Sequence, residues 1–151
     1  MLAAVRLRGE VNVDRKIKDT LSLLKLHKIN HCVLVPDTPS YRGMLQIVKD
    51  YVAFGEVDPQ ILATLIQKRA RLPGNEPLTD DFVKENSKYG SFEELSKAIV
   101  EGEASLGDLN LKPVLRLHPP RGGLKNIKWH FSKGELGYQG KEINSLLNKM
   151  R

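Results

Sequence analysis

The stretch HCVLVPDTPSYRGMLQIVKDYVAFGEV, residues 31–57, decides the fold. His31 to Val35 is nearly all apolar, as a strand covered on at least one face must be. Pro36 lacks an N–H and stops the ladder. Asp37-Thr38-Pro39 turns the chain, and Ser40 is the expected N-cap of a helix whose stripe holds Met44, Ile47 or Val48, and Tyr51, up to about residue 52. Ala53 to Val57 then makes a strand again. Gly43, in the first turn of that helix, lowers helix propensity by about 1 kcal/mol relative to alanine; close approach of a partner's backbone would explain its presence.

Working outward, Val5 and Leu7 alternate with Arg6 and Arg8, which predicts a first strand with one apolar and one basic face, ended by Gly9. Asn12 as N-cap, Asp14 in the first turn, and Ile17, Leu21 and Leu24 at helical spacing predict a helix from about 14 to 26. Strand, helix, strand, helix, strand within residues 1–57, with both helices able to cover a single face of a small sheet, is a compact α+β core. Asp58-Pro59 starts a further helix, 58–72, that packs on the core through Leu62, Leu65 and Ile66. Prolines and a glycine in RLPGNEP, residues 71–77, break it. In 73–110, Thr79 caps a short helix, and Ser91-Phe92-Glu93-Glu94 is a full capping box for a helix that runs to Glu101 and stops at Gly102, with Leu95 and Ile99 inward. Val114 to His118 alternates as a strand. The run PPRGGLKNIKWHFSKGELGYQG, residues 119–140, has five glycines and two prolines and predicts an extended basic tail that needs a partner surface for its order. Ile143, Leu146, Leu147 and Met150 form a closing amphipathic helix.

Charge follows these boundaries. Lys and Arg outnumber Asp and Glu by 12 to 7 in residues 1–72 and by 9 to 2 in 111–151, whereas 73–110 has 3 against 9. Two basic segments flanking an acidic helical subdomain point to a shared polyanionic partner for the ends. No apolar run is long enough for a membrane span, and the N-terminus lacks the order of a signal peptide, so a cytoplasmic location is expected. Cys32, the one cysteine, lies in an apolar strand and reads as core.

Catalytic readings find little support. GELGYQGKE, residues 134–142, fails the spacing of a phosphate-binding loop and has Glu142 where Ser or Thr should hold magnesium. His27 and His31 would share a metal only on one continuous helix, and Lys28-Ile29-Asn30 marks a passage from helix to strand. Cys32, Ser40 and Tyr41 lack an adjacent base or oxyanion site. No catalytic residue, metal site, cofactor or small-molecule substrate is expected. Nucleic-acid binding needs cations for phosphates, flat groups for bases and free backbone amides. The candidates are Arg6 and Arg8 on the first strand, Arg15, His27 and Lys28 around the first helix, Tyr41, Arg42 and Gly43 at the second helix start, and Arg121, Lys125, Lys128, Trp129, His130 and Lys133 along the tail. For Trp129, packing on the core and stacking on a base use the same apolar face, and both remain open.

The stretch TLSLLKLHKINHCVLVPDTPSYRGMLQIVKDYV, Thr20 to Val52, resembles the large-subunit ribosomal protein L-thirty family: a leucine helix, a basic segment ending in His31, then Asp37-Thr38-Pro39, Ser40-Tyr41 and Arg42-Gly43-Met44. HPPRGGLK from His118 and GELGYQGKEINSLLNKM from Gly134 are similar to the tail of the longer archaeal and eukaryotic branch, which includes the eukaryotic L-seven protein. The chain starts almost on its first strand, so the archaeal form is the closer match. The resemblance implies a non-enzymatic protein bound to large-subunit rRNA near the small ribosomal RNA, beside neighbouring ribosomal proteins. It further implies a core of three antiparallel strands with two helices on one face, a ferredoxin-like half, and an interface including Lys28, Arg42, Arg121 and Lys125. Lys133-Gly134-Glu135 departs from the family pattern, in which a second glycine is expected. The rival reading is a small cytosolic enzyme or protein-binding regulator that docks through its acidic 73–110 segment.

Overall fold

The computed structural model describes residues 1–151. Five strands and six helices follow in the order β1 (Leu2–Arg6), α1 (Arg15–Leu23), β2 (His31–Val35), α2 (Pro39–Ile47), β3 (Val52–Glu56), α3 (Pro59–Arg69), α4 (Asp80–Asn86), α5 (Phe92–Glu101), β4 (Val114–Arg116), β5 (Gly137–Tyr138) and α6 (Ile143–Met150). The sheet is five-stranded, with order β4-β2-β1-β3-β5. Its three central strands, β2-β1-β3, are the antiparallel core that the family resemblance implies. The expected small three-stranded sheet is nevertheless enlarged at both edges. β4 adds antiparallel to β2, and the two-residue β5 adds parallel to β3. β5 is too short and too rich in glycine to show alternation in the sequence.

Period-two alternation divides the strand residues between two cores. Leu2 and Ala4 of β1, Val33 and Val35 of β2, and Val52 and Phe54 of β3 join Leu21, Leu24, Leu45 and Val48 beneath α1 and α2. Ala3 and Val5, Cys32, Ala53 and Leu115 face the other way, onto Leu62 and Ile66 of α3, Leu95 and Ile99 of α5, and Ile143 and Leu147 of α6. The sheet is thus sandwiched: α1 and α2 on one face, as predicted, and α3, α5 and α6 on the other. Leu78, Val83, Phe92, Leu106 and Leu109 of the acidic middle segment lie in that second core, so 73–110 is joined to the sheet by continuous packing. No helix is long and apolar enough to cross a membrane.

Several helix boundaries differ from expectation for local reasons. Asn12 adopts φ 54° in a left-handed turn, and Asp14 occupies the N-cap position of α1, without a side-chain cap bond. Thr38, not Ser40, caps α2: its Oγ1 accepts from the Tyr41 N–H at 3.4 Å, and Pro39 fills the first helical position, where a missing N–H does no harm. Ser91 accepts from the Glu94 N–H, but Glu94 Oε2 reaches the Gly90 N–H at 2.8 Å, one residue before the cap, so the box is displaced rather than closed. Thr79 caps α4 and Gly102 ends α5 in the left-handed region, both as read from the sequence.

Candidate nucleic-acid interface

The register of β1 fixes two ends of the sheet. At one, Arg6 faces Val52, Val5 faces Cys32, and His31 faces Arg116. At the other, Leu2 lies between Val35 and Glu56. The predicted residues divide between these ends.

The first end is strongly positive. The His31 imidazole has its pKa lowered by burial first, and then by Arg116, His27, Lys28 and Arg6, all of which oppose a further proton. His27 and Lys28 are exposed in the turn between α1 and β2. His27 and His31 lie on different elements, α1 having ended at Leu23, so the helical metal spacing is not formed.

Arg6 takes a role that alternation did not reveal. It is 1% exposed: its Nη1 donates to the Leu26 and His27 carbonyls at 2.8 and 3.0 Å, and its Nε donates to the Arg8 carbonyl at 2.9 Å. Glu10 adds an ion pair at 3.1 Å. The expected basic face of β1 is therefore closed at Arg6 by the 24–30 turn, which folds over the strand. Arg6 holds the turn that presents His27 and Lys28. Arg8 stays half-buried, with its guanidinium 4.9 Å from the centre of the Tyr51 ring and donating to the Asp50 carbonyl at 3.0 Å.

The tail arrives at the same end. His130 Nε2 lies 2.8 Å from Asp50 Oδ1, so His130 and Arg8 meet on one residue of the α2–β3 turn. The tail's order, expected to need a partner, is built internally. The Gly134 N–H donates to the His130 carbonyl, Phe131 to Leu136, and Glu135 to Asn126, at 2.8, 2.8 and 3.0 Å. Gly134 is required there by space, since a Cβ would lie 2.0 Å from the Trp129 carbonyl oxygen. Trp129 is 56% exposed, which removes core packing as its role. Lys125, Lys128 and Lys133 are exposed on the same loop. Arg121 is exposed at the C-terminus of α6, where its N–H and that of His118 cap the Lys149 and Met150 carbonyls, each at 3.0 Å.

Arg15, Tyr41, Arg42 and Gly43 fall outside this cluster. Arg15 is exposed on α1 beside Asp19, 3.9 Å away. Tyr41 is partly buried against the core beneath α2. Arg42 makes a bidentate pair with Asp37, through Nε to Oδ1 and Nη2 to Oδ2, the latter at 2.6 Å. The hydrogen bond from Arg42, followed by its charge, holds the Asp37 carboxyl below the usual range. This far end also holds Glu56, which accepts from the Tyr138 hydroxyl at 3.1 Å and thereby raises the phenol's pKa. Gly43 is exposed, and a Cβ there would meet nothing within 4 Å. From the acidic segment, Glu103 and Asp108 flank Met1, Leu34 and Pro36, again at the far end.

Sequence reasoning missed Arg116, His31 and Tyr51 as members of the positive end. Arg116 was legible as the outward position of an alternating strand, but its neighbours follow only from the pairing of β4 with β2. Cys32 is fully buried, as expected, with its thiol pKa pushed up to about 12 by burial.

The profile of the family described as ribosomal protein L30p/L7e matches residues 2–52, from β1 to the start of β3. The chain is 64% identical over 152 residues to the large ribosomal subunit protein uL30 of Archaeoglobus fulgidus, with both chains covered in full. It is 56% and 55% identical to the proteins of that name from Methanocorpusculum labreanum and Methanoculleus marisnigri, again over the full length of both chains. Likeness of this extent, on a core with the expected succession of strands and helices, makes the chain a ribosomal protein, structural rather than enzymatic. It belongs to the large ribosomal subunit protein uL30 (L30p/L7e) family.

Proposed function

We propose that this protein is a structural constituent of the large ribosomal subunit that binds rRNA, near the small ribosomal RNA, through the positive end of its sheet. The observation carrying this reading is convergence: Arg8 from the β1 end, Lys28 and His27 from the α1–β2 turn, Arg116 from β4, and the 119–136 tail are brought to one end of the sheet. Phosphate contacts position the molecule, while the acidic segment, packed on the α3 and α6 face of the sheet with Glu103 and Asp108 at the far end, faces solvent or a neighbouring ribosomal protein. Arg42, tied to Asp37, is a secondary contact that reaches RNA only by sharing or exchanging its carboxylate partner. The proposed location is the ribosome in the cytoplasm.

The test is an equilibrium titration of the full chain with large-subunit rRNA at several salt concentrations. Each neutralised phosphate releases counterion, so four or more contacts give a slope of log K against log salt of about −3 or steeper. A flat salt dependence excludes the reading. Affinity lost instead with charge reversal in 73–110 would favour a regulator docking through the acidic segment.

A further inference from the structure

The tail loop carries Ile127, Trp129 and Phe131 at alternate positions, and these are 43%, 56% and 39% exposed. The chain bends at Ile127, Lys128 and Trp129, so these side chains stand along one exposed, bent loop. The His130 side chain, between two of them, is held against Asp50. Trp129, the most exposed of the three, presents an aromatic face to solvent on a loop closely bonded to itself.

We propose that this loop is a platform on which an unstacked base of the bound RNA lies, with the exposed Trp129 indole as its centre. The inference rests on the RNA-binding reading above and names what the tail recognises. An indole face stacks on any base, without hydrogen-bond readout. Lys133 Nζ lies over one face of the indole, 5.8 Å from its centre, and Lys125 and Lys128 are exposed on the same loop. A base on the indole would bring its own phosphate to these ammonium groups. A purely apolar protein surface would instead strip water from them without neutralising them. The loop is preformed for this task, because the backbone of Gly134 lies directly against that of Trp129 and the neighbouring His130 is held to Asp50. A rigid platform loses little conformational entropy on binding.

Trp129 is the single tryptophan of the chain, so its fluorescence reports the contact directly. Titration of the full chain with purified large-subunit rRNA should quench the indole emission, with the same midpoint as binding followed by filter retention. Trp129→Ala should weaken binding by about 10-fold or more while changing the salt slope by no more than about one unit, the share of the single phosphate that the stacked base carries. Trp129→Phe, which keeps a stacking face, should retain most of the affinity. Equal thermal unfolding of the variants excludes a folding defect. The proposal is overturned if rRNA binds with the expected salt slope while the emission stays constant and Trp129→Ala binds as tightly as the parent. It is equally overturned if only RNA-free ribosomal proteins change the emission. Absence of salt-dependent binding in the parent chain itself would reject the RNA-binding reading along with it.

Discussion

Replacing Gly55 with alanine should destabilise the fold by about 3 kcal/mol, read as a lowered urea midpoint with an unchanged m-value. The added Cβ would lie 2.1 Å from the Gly140 carbonyl oxygen and 3.0 Å from Ile143 Cγ2. Backbone cannot swing aside as a side-chain tip can, so the start of α6 would have to leave the sheet. Its attachments to the sheet lie within three residues of Gly55. The Gln139 N–H donates to the Phe54 carbonyl at 2.8 Å, Asn144 Nδ2 donates to the Glu56 carbonyl at 2.9 Å, and Asn144 Oδ1 accepts from the Asp58 N–H at 2.9 Å. Asn144 is buried, so displacement would also strand its amide and the backbone groups it serves. An unchanged midpoint would show that this junction gives way freely, contrary to the packing described.

Arg6→Met should have a comparable effect on stability, about 3 kcal/mol, and a second, local effect on the 24–30 turn. Methionine fills space but donates nothing, so the Leu26 and His27 carbonyls lose their guanidinium partner. Arg6→Lys should rescue poorly, because one ammonium cannot span the carbonyls that the planar fork reaches from two nitrogens. Arg6 Nη2 is buried without a partner, which reduces the net gain from the parent side chain. The local effect is measurable by hydrogen exchange. The Leu26 N–H, bonded to the Leu21 carbonyl, and the Asn30 N–H, bonded to the Arg6 carbonyl, both at 2.8 Å, should lose protection before the β1–β3 amides do. Uniform loss across the sheet would mean that Arg6 supports the core generally and does not hold the turn.

How far the sequence could be read follows from where the deciding contacts lie. The strand and helix order through β3, the Pro59 helix start, the Thr79 cap and the Gly102 stop all follow from residues within a turn of one another, and local chemistry announced them. Pro39 marks Thr38 as the α2 cap, although the serine that follows is the residue with the stronger capping preference. Arg6 was misjudged because alternation gives the side of the strand but not what covers it, and the cover comes from residues about twenty positions later. β5 and the internally bonded tail depend on Gly134 and Gly137 meeting other backbone or His130 at short range. Composition marks such glycines only as flexible. The positive end itself was half legible: charge counts located the basic segments, but only strand register brought Arg116 beside His31 and set Arg42 at the opposite end.

The most direct test of the central claim is lysine acetylation of the full chain, free and bound to large-subunit rRNA, read site by site by mass spectrometry. Protection should fall on Lys28, Lys125, Lys128 and Lys133, while Lys84, Lys88 and Lys97 of the acidic segment react as fast in the complex as in the free protein. Protection of Lys84, Lys88 and Lys97 by RNA, with the four lysines of the positive end left reactive, would contradict the account.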